Sequence, residues 1–212
     1  MHLDTWLAFA LASAIMLMIP GPTILTVIGY SMGSAAAPGR HARLALVAAV
    51  ALGDSTALAL SLAGLGGLLA ASAFWFGVVK WVGGLYLIYL GLRMLKSGAL
   101  PAPPQAPAAP APARTLFGHT YMVTALNPKG LVFFVAFLPQ FVHPGADAAR
   151  QLWLLAATFI VLSTLNATLY ATFAGAARRL LDTPKAQRNF HFAGGALLTG
   201  AGVWALLARR PG

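Results

Sequence analysis

No glutamate and no cysteine occurs among the 212 residues, and only Asp4, Asp54, Asp147 and Asp182 carry negative charge. Without cysteine there are no disulfides, no thiol redox chemistry, no thiolate metal sites and no cysteine nucleophile. So few acids leave no paired carboxylates for general acid–base work and no histidine–acid cluster with metal-ligand spacing. No glycine loop leads into a lysine in the way a phosphate site requires. The sequence therefore predicts no enzyme, no bound metal and no cofactor. Charge of either sign is also scarce, at 8% of residues, against about 25% in soluble domains.

What is present is apolar. Hydrophobic residues make up 59% of the chain, and the mean hydropathy is +0.77. Apolar runs long enough to cross a bilayer recur along the whole length, which marks an integral membrane protein. The net charge of +10 does not indicate nucleic-acid binding, because Lys and Arg are scattered among segment ends and short connections. Basic residues gather on cytoplasmic connections for topological reasons. The N-terminus, Met1-His2-Leu3-Asp4, lacks the basic start of a secretory signal, so the first segment is expected to stay in the mature chain.

Six apolar segments are legible, at about 3–30, 44–70, 72–95, 116–142, 151–177 and 190–208. The first is interrupted by Pro20-Gly21-Pro22-Thr23 and the fourth by Asn127-Pro128-Lys129-Gly130. Proline has no N–H and clashes with the preceding turn, so each interruption should break its helix at membrane depth. Irregular backbone there is tolerable only when buried in protein or facing a wet cavity. Between segments three and four lies Pro101-Ala-Pro-Pro-Gln-Ala-Pro-Ala-Ala-Pro-Ala-Pro112, which reads as a solvated polyproline-rich linker. The expected organisation is a first three-helix unit over 1–96, a Pro/Ala-rich cytoplasmic linker over 97–115 and a second three-helix unit over 116–212.

Orientation follows from the basic residues outside the segments. The first, third and fifth connections hold nine of them, and the termini with the other two connections hold three. That bias places both termini in the periplasm and the linker in the cytoplasm.

The two halves align. Gly83-Gly84 with Gly91 matches Gly194-Gly195 with Gly202 at an offset of 111, and there Lys80 falls on His191. Asp54-Ser55-Thr56 falls on Asn166-Ala167-Thr168 at 112, and Pro22 on Pro128 at 106. Three spans per repeat is an odd number, so the second copy must be inverted. The expected fold is an all-α membrane protein of six transmembrane helices, arranged as two inverted three-helix repeats with helices 1 and 4 broken. Inverted repeats with paired broken helices are a transporter pattern. Half-helix ends offer amides to an anion and carbonyls to a cation near the midplane.

Asp54 is the only acid inside an expected span. Intramembrane acids are functional by default, so Asp54 is a candidate for proton coupling, or for an ion pair with Lys80 or Lys129. The candidate binding residues are Pro20, Gly21, Pro22, Thr23, Asn127, Pro128 and Lys129, with Asn166 and His191 as further polar candidates. The glycines read as close-packing positions between helices that would also allow a homodimer, and the tryptophans as an interfacial belt.

These residues together resemble the LysE/RhtB family of bacterial amino-acid exporters. The likeness rests on Pro20-Gly21-Pro22, on Gly53-Asp54, and on Lys80-Trp81-Val82-Gly83-Gly84-Leu85-Tyr86-Leu87-Ile88-Tyr89-Leu90-Gly91. It extends to Asn127-Pro128-Lys129 with Phe133-Phe134 and Pro139-Gln140-Phe141. The resemblance implies export of amino acids from the cytoplasm across the inner membrane, driven by the proton-motive force. Amino acid, protons and the lipid bilayer are then the expected partners. A lone acid among basic residues disfavours a dedicated lysine or arginine site and leaves neutral amino acids such as threonine or homoserine. The competing readings are an exporter or channel for a small ion or metal cation, which the thin supply of donors opposes, and a non-transporting scaffold built around the linker.

Overall fold

The computed structural model describes residues 1–32, 39–71, 73–97, 112–143, 147–174, 176 and 183–207. The Pro/Ala stretch up to 111 lies outside the described residues. Every regular element among the described residues is helical.

Helix α1 (Leu3–Met18) stops where the prolines dictate. Ile19, directly before Pro20, is extended at φ −73°, ψ 112°, the conformation forced on a residue that precedes proline. Helix α2 (Pro22–Met32) then opens with Pro22 in its first turn, where the missing N–H leaves no bond unmade. The two axes differ by 51°. Helices α3 (Arg40–Ala71) and α4 (Ala73–Ser97) follow.

The second interruption repeats the pattern. Helix α5 (Ala113–Ala125) ends before Asn127, which is extended and N-caps the short α6 (Pro128–Val132) with Pro128 in the first turn. The chain then runs through a π-helical turn, Phe133–Phe137, and a 3₁₀ turn, Leu138–Phe141. Pro139 explains the irregularity: it offers no N–H to the Val135 carbonyl, so a regular α ladder cannot pass through it. Helices α7 (Ala148–Thr172) and α8 (Pro184–Leu207) complete the fold.

Among the described residues three stretches are long and apolar enough to cross a membrane: 40–64 in α3, the broken run 113–141, and α7. The bent α1–α2 pair passes as a fourth. Leu7, Leu11, Trp153, Val161, Leu165 and Leu169 are exposed, as expected of side chains that face lipid.

Apolar transfer does not drive helix association in lipid, so close packing must. Two seams show it. In the core, Phe134 meets Phe159 edge-on with ring centroids 4.7 Å apart, and Phe133 lies 4.9 Å from Phe137. Trp204 joins this cluster through Phe137 at 5.2 Å, so this tryptophan packs on core rings. Trp6 fastens α1 to α7 by donating Nε1–H to Thr158 Oγ1 at 2.9 Å.

The second seam pairs α4 with α8 in antiparallel fashion. A Cβ on Gly91 would lie 2.6 Å from the Gly195 carbonyl oxygen, and one on Gly202 would lie 2.6 Å from that of Gly84. These glycine faces are thus used within one chain.

Because Gly91 has no room for a methyl group, Gly91→Ala is expected to destabilise the protein by at least about 1–3 kcal/mol, the usual range for overpacking. Gly200 of the same α8 has open space around its Cα, so Gly200→Ala should leave stability unchanged. Unfolding midpoints in detergent measure both.

Candidate functional site

The break after α1 creates a specific problem. A helix end leaves its last carbonyls without partners, and in an apolar interior each would cost several kcal/mol. The structure satisfies four consecutive carbonyls with side chains from the other half of the chain. Lys129 Nζ donates to Met16 O and to Ile19 O, both at 2.7 Å. Asn166 Nδ2 donates to Leu17 O at 3.1 Å, and Tyr170 Oη to Met18 O at 3.0 Å.

The second break is closed by its own asparagine. Asn127 Oδ1 accepts the Lys129 backbone N–H at 3.1 Å, capping α6, while Nδ2 donates to Thr23 Oγ1 in the first turn of α2 at 3.0 Å. Asn127 therefore ties one interruption to the other, and Lys129 does so again two residues on.

Asp54 reaches the same place from α3. It is 7% exposed, and its Oδ2 accepts a hydrogen bond from the Ser163 hydroxyl of α7. Gly53 lets α3 come this close to α5, because a Cβ there would lie 2.7 Å from Thr124 Cβ. Among the described residues no hydrogen bond joins the Asp54 carboxylate to the Lys129 ammonium.

These groups surround a cavity of about 30 Å³ lined by Gly21, Thr23, Asp54, Asn127, Lys129 and Ser163, among others. That is room for roughly one water molecule and too little for an amino acid. A second, apolar cavity of about 300 Å³ lies on the far side of Met16 and Ile19, between α1, α4 and α8. Met16 and Ile19 line both cavities.

Of the residues singled out from sequence, Gly21, Thr23, Asp54, Asn127 and Lys129 meet at the small cavity, with Pro20 buried beside them. Pro22 and Pro128 are exposed and shape the breaks. Asn166 reaches the break from α7. His191 does not: it is buried on α8 with Nδ1 3.2 Å from the Met94 carbonyl. The Lys80 side chain lies outside the described residues. Ser163 and Tyr170 were not anticipated. With Asn166 they form a polar stripe at i, i+3 and i+7 on α7, a helical periodicity that was open to view in the sequence.

Asn127→Ala removes both the α6 cap and the bond to Thr23. It is expected to cost about 1–2 kcal/mol of stability, as loss of an N-cap does. Leu126→Ala, at an exposed neighbour, should be close to neutral in the same detergent unfolding assay.

The chain is similar to several membrane and efflux proteins. A homoserine/homoserine lactone efflux protein of Salmonella typhimurium (strain LT2) is 30% identical, with 99% of each chain aligned. A leucine efflux protein of Enterobacter sp. (strain 638) is 27% identical over 86% of this chain and 85% of its own length. An uncharacterized membrane protein of Vibrio cholerae is 26% identical over 99% of this chain and all of its own. No solved structure matches significantly. The family model described as LysE type translocator matches residues 14–209, nearly the whole chain, and the protein belongs to that family.

Proposed function

We propose that the protein is a secondary exporter of amino acids across the bacterial inner membrane, coupled to protons. The observation that carries this reading is the meeting of two helix breaks, one cation and the one intramembrane acid at a single cavity. Such a site matches a zwitterion. The substrate carboxylate is met by amides freed at the breaks and by Lys129, and its ammonium by the carbonyls after α1 and by Asp54. Alternating access then opens the site to one side at a time, and protonation of Asp54 from outside favours release and return.

The architecture that goes with this reading has six spans in two inverted three-helix repeats, with both termini periplasmic. The glycine seam supports it. Gly84 faces Gly202 and Gly91 faces Gly195, and the repeat offset of 111 exchanges these two contacts. A pseudo-two-fold axis in the membrane plane has that effect. The matched starts of α2 and α6, each with proline in the first turn, support it as well.

The cavity holds one acid and one base, so a substrate without net charge keeps it balanced. Homoserine and leucine, named for the relatives beside a homoserine lactone that has no carboxylate, have uncharged side chains, and the preference proposed here is for neutral amino acids such as threonine and homoserine.

Counterflow of radiolabelled amino acids in proteoliposomes tests the reading. Threonine, homoserine or leucine should exchange and lysine should not; absence of exchange for every amino acid would sink the proposal. Asp54→Asn should lose the response of export to an imposed pH gradient, and a fully gradient-driven Asp54→Asn protein would remove Asp54 from the coupling.

A further inference from the structure

The carbonyls that the proposed function offers to the substrate ammonium are already in use. Lys129 Nζ lies 2.7 Å from Met16 O and 2.7 Å from Ile19 O. Met16 belongs to the last turn of α1 and Ile19 to the extended residue after it, and the break lets both point at one spot. The guest held there is a primary ammonium on a tetrahedral carbon, with three N–H donors. An amino acid's α-ammonium has the same chemistry.

We propose that Lys129 is a tethered stand-in for the substrate's ammonium. In the empty site it occupies the Met16–Ile19 carbonyl pair. When a zwitterion enters, the substrate ammonium takes that pair and the displaced Lys129 moves onto the incoming carboxylate. The proposal rests on the amino-acid reading above and adds an exchange of one ammonium for another.

Three further observations support it. The stem of Lys129 lies against Gly21, where a Cβ would stand 3.4 Å from Lys129 Cδ, so the side chain is packed on the break itself. The free space beside it is about 30 Å³, so a substrate gains room only when the lysine swings away. Asp54 lines the same cavity, so the empty site holds one acid and one base. A zwitterion adds one of each, and every cation keeps a carboxylate after the exchange. A simple amine brings no carboxylate, and displacing Lys129 would strand a cation. The exchange therefore selects for a substrate with both groups.

The test uses the full-length protein in detergent and n-butylammonium, an ammonium with no carboxylate. Wild type and Lys129→Arg, which keep a cation on the carbonyls, should be neither bound nor thermally stabilised by it. Lys129→Met leaves the pair vacant and should bind butylammonium at least tenfold more tightly than wild type, with a rise in melting temperature. Tetramethylammonium, which has no N–H, should give no such gain. Equal responses of wild type and Lys129→Met would overturn the proposal. So would a Lys129→Met protein that cannot be recovered folded even in butylammonium. Amino-acid counterflow by wild type without the butylammonium gain defeats this proposal alone. The gain without counterflow defeats the export reading and leaves the carbonyl pair as an ammonium site.

Discussion

The structure depends on four backbone carbonyls that have no helix to belong to. Pro20 and Pro22 end α1 within the apolar interior, and Met16, Leu17, Met18 and Ile19 are left facing away from any continuing turn. An unpartnered carbonyl in that interior costs several kcal/mol, so a break of this kind would not persist unless something answered it. The answer comes from far along the chain: Lys129, Asn166 and Tyr170 supply the donors. Much else serves to bring those three side chains to that end of α1. The aromatic cluster of Phe133, Phe134 and Phe159 packs α7 against the turn that follows α6. The Trp6–Thr158 bond holds α7 along α1.

The exchange between the two breaks is unequal. The first contributes mainly backbone acceptors, together with the Thr23 hydroxyl. The second contributes an amide and a cation, and Asn127 caps its own helix with one end of its side chain while holding Thr23 with the other. A site built this way has a polarity fixed by covalent structure. Carbonyls gather at the end of α1, and donors gather around α6 and on one face of α7. The matched glycine contacts of the α4–α8 seam have no counterpart in this chemistry, and a site with distinct ends can orient a molecule that also has distinct ends.

The helices and their breaks were open to sequence reading because their causes are local. Proline forbids a bond at known positions, so the ends of α1 and α5 fell close to where Pro20 and Pro128 placed them. The expected segments at 44–70 and 151–177 correspond to α3 and α7 within a few residues. The partners of the freed groups were less legible. Lys129 finds Met16 across 113 residues and Tyr170 finds Met18 across 152. Nothing in local spacing identifies which carbonyl a side chain will reach. Repeat alignment paired Asp54 with Asn166, but the carboxylate is held by Ser163, one helical turn earlier on α7. The alignment also paired His191 with Lys80, and His191 rests against the Met94 carbonyl instead. Symmetry assigns an equivalent place and leaves open what fills it. The turn after α6 escaped for another reason: a π turn followed by a 3₁₀ turn is a compromise around Pro139 that depends on the rings packed against it.

An exporter must not leak when it is empty, and the energetics of the carbonyls bear directly on that requirement. With Lys129 in place each of the four carbonyls from Met16 to Ile19 has a side-chain donor, and the space beside them is water-sized. Opening that space without a guest means withdrawing an ammonium from two carbonyls and leaving all three groups in a low-dielectric interior. Hydrogen bonds to a charged group contribute about 1.5–3 kcal/mol each, so an unassisted opening costs several kcal/mol and is rare. In the proposed exchange a zwitterion would change the balance by replacing what it removes: its ammonium would restore the acceptors' partner and its carboxylate would receive the displaced lysine. On that proposal the contacts that close the empty site would yield only to a molecule able to reproduce them, and tightness against leak and selectivity for the guest would have one physical origin.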